Sequence, residues 1–233
     1  MKRIGVVAAL GAEARALRGA HRVRVGATEL RDGVNLIVSG IGQAAAERAA
    51  RALVSAGAGA LISWGVAGGL DPDLPAGAVL LPVEIIAEDG RRFASTPAWR
   101  ERQHAALAPH LRITAGALLS CAAAIEGIGA KAGAHRASGA AAVDMESAAI
   151  AGVAAARHLP FLCIRVVVDA AGDALPRAVL DASRAGGLRP WRLVAGILRS
   201  PREMSGLIRL ARRFQNARRA LDTIARKGLE SPP

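Results

Sequence analysis

Along the first 173 residues, short apolar runs alternate with alanine-rich helical segments, and several of the runs stop at a glycine-rich or acidic turn. Arg3–Ala9, Val34–Ser39, Ala60–Trp64, Ala78–Ile86 and Phe161–Val167 read as strands, Ile113–Leu119 as an extended stretch, and Ala140–Val143 as the end of another buried strand. Trp99–Leu107, Lys131–Ala137 and an alanine-rich stretch ending near Val54 read as helices. Strands alternating with helices over short loops predict an α/β fold, a three-layer αβα sandwich around a twisted, mainly parallel central sheet.

The 233 residues fit one large α/β domain or two small ones, and a 52% hydrophobic content is ample for a buried core. Cys121 and Cys163 stand far apart with no C-x-x-C or histidine partner, so they read as reduced core thiols of a cytoplasmic protein, and there is no metal signature. Lys2-Arg3 followed by Ile4–Ala12 resembles a short signal peptide, but Glu13 and Arg15 interrupt the run, which reads better as a first strand. No window reaches the roughly 18 uninterrupted apolar residues of a membrane span.

The net charge of +12 is uneven, because residues 190–233 hold ten Lys and Arg against three Asp and Glu. That asymmetry divides the chain into a main α/β domain, 1–189, and a basic helical extension, 190–233. In the extension Met204, Leu207, Ile208, Ala211, Phe214, Leu221 and Ile224 recur at helical spacing among many arginines. Two readings stand open: helices packing on the domain with a solvated basic face, or an interfacial anchor on an anionic membrane, peripheral on its inner face. A nucleic-acid module fits poorly, since aromatics make up only 3% and no nucleic-acid motif is present.

Glu13, the Gly65-Val66-Ala67-Gly68-Gly69 turn, Asp144–Glu146 and Asp169 each fall just past the carboxyl end of a predicted strand. Ligands of open α/β sheets bind outside those ends, so four marks at one edge predict one cleft. In Val143-Asp144-Met145-Glu146-Ser147, Asp144 takes an N-cap position and Glu146 the helix start, where the dipole favours an ionised carboxylate. Alone, such a D-x-E pair reads as capping, Met145 as core, and Glu13 and Arg165 as salt-bridge residues. Together, three carboxylates, Arg165 and a glycine turn suit a reaction that makes a cation and then traps it. Cleavage of an N-glycosidic bond is one: an acid protonates the departing base, fixed negative charge stabilises an oxocarbenium-like ribose, and a second carboxylate directs the water.

Ile4–Glu13, Gly40-Ile41-Gly42, Gly65–Gly69, Val143–Ser147 and Arg165–Asp169 resemble, in order and spacing, the nucleoside phosphorylase superfamily, mechanistically nearest to methylthioadenosine/S-adenosylhomocysteine nucleosidases. Leu175-Pro176, Gly186-Gly187, Arg199-Ser200-Pro201 and the basic helix beyond resemble a narrower group, the hopanoid-associated phosphorylases, thought to remove adenine from adenosylhopane. The resemblance implies that Asp169 protonates purine N7, Glu146 binds ribose hydroxyls, Met145 packs on the sugar and Glu13 positions or activates the nucleophile. It implies that Arg165 holds water or phosphate with Glu146, while Val66, Ala67 and Gly68 belong to the substrate-binding loop. It also implies a homodimer, an adenosyl nucleoside substrate that is lipid-tailed in the narrower group, and no metal or organic cofactor, phosphate entering only as a co-substrate.

Two departures stand out. Val66 replaces the usual serine of G-S-A-G-G and cannot donate a hydrogen bond to phosphate, which favours hydrolysis over phosphorolysis, although Arg15 and Arg18 remain candidate anion ligands. Val168 replaces a serine before the catalytic acid. Few residues around Ser95–Arg102 are suited to closing over a small 5′ substituent, which predicts an open 5′ side.

Overall fold

A ten-residue strand, β4 (Ala60–Gly69), is the axis of the sheet. It pairs in parallel with β1 (Ile4–Ala8) along one edge and with β11 (Phe161–Asp169) along the other. Past Ala67 it pairs again, antiparallel, through Gly68 and Gly69 with β10 (Ala140–Asp144). On the β1 side, β3 (Val34–Val38) runs parallel and β2 (Ala27–Arg31) closes antiparallel. On the β10 side, β9 (Ala117–Ser120) and β6 (Glu84–Ala87) run parallel and β7 (Arg92–Ala94) closes antiparallel. Two short strands, β5 (Val79–Leu80) and β8 (Ile113–Thr114), attach beside β11. These features come from a computed structural model that describes residues 3–18, 27–31, 33–174 and 204–233.

Helices α2 (Gln43–Ser55) and α5 (Ser147–Ala156) cover one face of the sheet. Helices α1 (Gly11–Arg18), α3 (Pro97–Leu107) and α6 (Met204–Lys227) cover the other, and α4 (Ile128–Ser138) lies against β10. The mainly parallel three-layer sandwich expected from the sequence is therefore the fold. Its cause is visible in the strands: F-L-C-I-R-V-V-V of β11 is apolar apart from one residue because both of its faces are covered. In α2 the buried Ala46, Ala49, Ala50 and Leu53 follow the i, i+3, i+4, i+7 spacing of a single apolar stripe.

The structure corrects several boundaries. Gly65–Gly69 is a continuation of β4, because Val66 and Ala67 are paired with Val166 and Val167 of β11. The run Ala78–Ile86 splits into β5 and β6 around Pro82, which has no N–H for a ladder. The extended stretch Ile113–Leu119 likewise splits, into β8 and β9. Strand β2 has no counterpart among the runs read from the sequence.

Within the basic segment, Met204–Lys227 forms one helix. Its Ala217, Leu221 and Ile224 are buried in the same cluster as residues of α1, α3 and β11, while Arg209, Arg212, Arg218 and Arg219 face solvent. Here the packing reading describes what is seen. The residues after the helix are held as well, with Trp99 Nε1 donating to the Glu230 carbonyl at 2.6 Å and Gln103 accepting from the Glu230 N–H at 2.9 Å. The motifs at 175–176, 186–187 and 199–201, and the part of the basic segment before residue 204, lie outside the described residues. Among the described residues, no helix is long and apolar enough to cross a membrane.

Candidate active site

Around the carboxyl ends of β1, β10 and β11 and the distal half of β4 lies a cavity of about 360 Å³. Glu13, Val66, Ala67, Gly68, Met145, Glu146 and Asp169 line it, as does Asp144. A larger groove of about 620 Å³ lies between α2, α5 and the β6–β7 turn, but most of its charged residues pair with one another at the surface, Glu47 with Arg51 and Asp89 with Arg91. Buried ionisable groups facing an apolar hollow are the better mark of chemistry. Such groups occur in the smaller cavity.

Glu13 stands in the first turn of α1, fixed from two sides. Its carboxylate accepts from the Leu10 N–H at 2.9 Å and from the Val66 N–H at 3.0 Å, and Trp64 Nε1 donates to its carbonyl at 3.1 Å. Val66, unable to offer a side-chain donor, thus offers its backbone to the acid. Gly65 is required beside it, since a Cβ there would come within 2.6 Å of Glu13 Oε1. Burial pushes the Glu13 carboxyl above its usual range, against the opposing pull of Arg165 and of its N–H donors.

Glu146 ends the β10–α5 connection, but its side chain does not cap α5. Its Oε1 accepts instead from the N–H of Gly42, at the start of α2, at 2.8 Å. Gly42 has φ +101°, which L side chains rarely adopt. The capping side chain is Asp144, whose carboxylate accepts from the Ser147 N–H. The expectation that the α5 dipole keeps Glu146 ionised is corrected accordingly: burial, and next the Asp144 charge, raise its carboxyl to about 7.

The sign of that shift gives a stability prediction. A carboxyl raised in the fold takes up a proton that the unfolded chain has already released, so it favours folding less as pH climbs from about 4.5 to 7. Glu146→Gln removes this dependence. Urea melts at pH 5 and pH 7 should show the wild type losing about 2 kcal/mol relative to the variant between those two pH values. Parallel curves would refute the assignment.

Arg165, expected as a ligand of water or phosphate, is placed otherwise. It is buried behind the cavity wall rather than lining the cavity. Its Nε and Nη2 donate to Asp144 Oδ2 at 2.9 and 2.7 Å, Nη2 also to Ser63 Oγ at 2.6 Å and Ser147 Oγ at 3.0 Å, and Nη1 to the Ile164 carbonyl at 3.2 Å. Burial opposes its charge, but Asp144 and the two glutamates hold the guanidinium firmly protonated. It knits β4, β10 and β11 together beneath the cavity.

Asp169, the last residue of β11, is buried and paired with the Nζ of Lys131, whose side chain is 1% exposed. Burial raises its carboxyl above the usual range, and Lys131 works against that rise. The sequence marks Lys131 only as part of a short helix, because a lysine amid the small residues of α4 carries no pattern that signals burial. Helix α6 is a second unforeseen contributor: Leu210, Ala211 and Phe214 reach the cavity and, with Ile41 and Ile125, make an apolar wall. The Ser95–Arg102 segment does not line the cavity and packs instead on the end of the chain, and Arg15 is exposed. The Arg18 side chain is outside the described residues. Among the described residues, no group of three or more His, Cys, Asp or Glu is placed to hold a metal ion.

The family model of the phosphorylase superfamily matches residues 3–199. No curated protein sequence matches the chain. Among solved structures, a 5′-methylthioadenosine/S-adenosylhomocysteine nucleosidase from Neisseria meningitidis, in complex with methylthio-immucillin-A, is 26% identical with TM-score 0.67, over 86% of this chain and 100% of that one. A futalosine hydrolase from Helicobacter pylori superposes with TM-score 0.69 at 16% identity, over 96% and 97% of the two chains. A point mutant of the Helicobacter pylori nucleosidase, with 5′-methylthioadenosine in its active site, gives TM-score 0.70 at 15% identity, over 96% and 98%. These last two bear on the fold alone.

Proposed function

We propose, for a chain that belongs to the phosphorylase superfamily, cleavage of the N-glycosidic bond of an adenosyl nucleoside with release of adenine. The enzyme class, nucleosidase or nucleoside phosphorylase, follows from that membership and from the likeness to the Neisseria protein. The observation that carries the finer reading is the convergence of Asp169, Glu146 and Glu13 on one cavity. Asp169 delivers a proton to purine N7, so that the base departs neutral. Glu146, held by Gly42, binds the ribose hydroxyls, and Met145 packs on the sugar. Glu13, raised by burial yet fixed by two N–H donors, takes the proton of the attacking water.

Water is the favoured nucleophile. Lys131 is committed to Asp169 and Arg165 to Asp144, so among the described residues the cavity offers no uncommitted cationic side chain for a phosphate dianion. Adenine release from methylthioadenosine should proceed in phosphate-free buffer at a rate within about twofold of that with phosphate. Strict phosphate dependence overturns this.

For the substrate we propose adenosylhopane, with a homodimer as the working form. The resemblance to hopanoid-associated phosphorylases supports it, as does the apolar wall of Ile41, Ile125, Leu210 and Phe214, which suits a hydrocarbon better than a charged 5′ group. A methylthioadenosine/S-adenosylhomocysteine nucleosidase is the second reading, favoured by the Neisseria likeness. Chromatography of products should show kcat/KM at least tenfold higher for adenosylhopane than for methylthioadenosine, and equal values favour the second reading. The exposed arginines of α6 support contact with an anionic membrane carrying that lipid. Full-length protein should sediment with anionic liposomes but not neutral ones, and failure to sediment removes the membrane part.

A further inference from the structure

The groups named so far leave Lys131, which also lines the cavity, without a task. Lys131 is placed by α4, and its Nζ donates to Asp169 Oδ2 and to the Ala170 carbonyl, the latter at 2.9 Å. Lysine is almost never this fully buried unless paired, because taking an ammonium out of water is costly. The pair is also anchored from outside. Asp173 accepts from the Ala170 N–H at 2.9 Å, and Arg213 of α6 donates to the same Asp173 oxygen. Among the described residues the charged groups around Asp169 are thus Lys131, Asp173 and Arg213, with Glu13, Asp144 and Glu146 sharing the cavity wall.

The arrangement sets a chemical problem for the proposed reaction, on which this inference rests. An aspartate paired with an ammonium is a carboxylate, and a carboxylate has no proton to give. We infer that Lys131 is a positioning residue that fixes Asp169 and supplies the proton Asp169 passes to the leaving purine. In the free enzyme the pair is carboxylate and ammonium. A purine filling the cavity removes the remaining water, and dry surroundings favour the same pair as neutral acid and neutral amine. As the C1′–N9 bond breaks, its electron pair stays on the purine and the Asp169 proton moves to N7. Asp169 is again a carboxylate, now beside a neutral Lys131. Water adds to C1′ and loses one proton to Glu13, and after product release solvent takes that proton from Glu13 and returns one to Lys131. One water is consumed and one neutral purine leaves, so atoms and charge balance.

The test compares two leaving groups on the full chain: methylthioadenosine, whose base needs the proton, and the matching 4-nitrophenyl 5-methylthioriboside, whose phenolate leaves as a stable anion. Lys131→Met should lower kcat on methylthioadenosine by about 100-fold, with KM within about threefold and the nitrophenyl substrate within about threefold of wild type. Lys131→Arg keeps the positive charge but cannot give up a proton in a protein, so it should show the same selective loss. It also decides the matter alone if the Met variant does not fold. Unchanged nucleoside turnover, restoration of that turnover by Arg, or equal losses on both substrates each overturn the inference. A wild-type protein that releases no adenine from any adenosyl nucleoside refutes the proposed function itself, whereas an active wild type with an equally active Lys131→Met refutes only the role of Lys131.

Discussion

Asp169→Asn lowers kcat for adenine release by about 10²- to 10⁴-fold, the range over which a positioned general acid acts, and leaves KM within a few-fold. An amide has the size of the carboxyl and its oxygen can still accept from Lys131, so the cavity wall keeps its shape. What it cannot do is hand a proton to N7 and take another from Lys131. The pH profile carries a second signature. The step consumes the Asp169 proton, so wild-type turnover falls on the alkaline side, and burial, which raises the Asp169 carboxyl, moves that limb up from the ordinary carboxylate range. In the variant that limb is absent and the residual rate no longer reports the pair. Steady-state rates of adenine release between pH 5 and 9 measure both effects. Loss below tenfold, or a retained alkaline limb, removes Asp169 from the acid role.

Residues that announce themselves in the sequence do so through the strands that carry them. Asp169 and Glu146 are legible because an apolar run stops at or just before each, and the two ends meet at one cavity because β11 runs parallel to β4 while β10 crosses the far end of β4 antiparallel. Glu13 is legible for the same reason, just past the end of β1. Contacts that depend on chain segments far apart leave no local pattern. Nothing near Glu146 says that its partner is the N–H of Gly42, 104 residues earlier, nor does α4 say that Lys131 will meet Asp169 across 38 residues. The apolar spacing of 190–233 shows a helix but not which surface takes its stripe. The answer, the α1, α3 and β11 side with Phe214 turned to the cavity, is a property of the assembled core. The break of Ala78–Ile86 is different, since Pro82 is present in the sequence and its missing N–H already argues for a division there.

Arg165→Met is expected to be the most destabilising single change in the cavity region, about 3–5 kcal/mol. Arg165 and Asp144 have side chains only 3% and 1% exposed, and the guanidinium supplies two of the donors to Asp144 Oδ2. Removing it leaves a buried carboxylate with only the Ser147 N–H and Oγ and a weak contact from the Glu146 N–H, and leaves the Ser63 hydroxyl without its strongest donor. Losing one partner of such a pair is far worse than losing both, because the penalty is mostly that of the uncompensated charge. The double variant Asp144→Leu/Arg165→Met should therefore recover a good part of the stability lost in Arg165→Met, as read from urea midpoints. Recovery of stability should not bring back activity, since Asp144 caps α5 and sets the backbone two residues before Glu146, whose hold on Gly42 needs that geometry. A stable Arg165→Met whose only defect is weak binding of phosphate or water would instead put the guanidinium in the reaction, as the family resemblance implies. Its Nε, Nη1 and Nη2 donate to Asp144, Ser63, Ser147 and the Ile164 carbonyl, behind the cavity wall, and that direction is the reason to expect the stability loss.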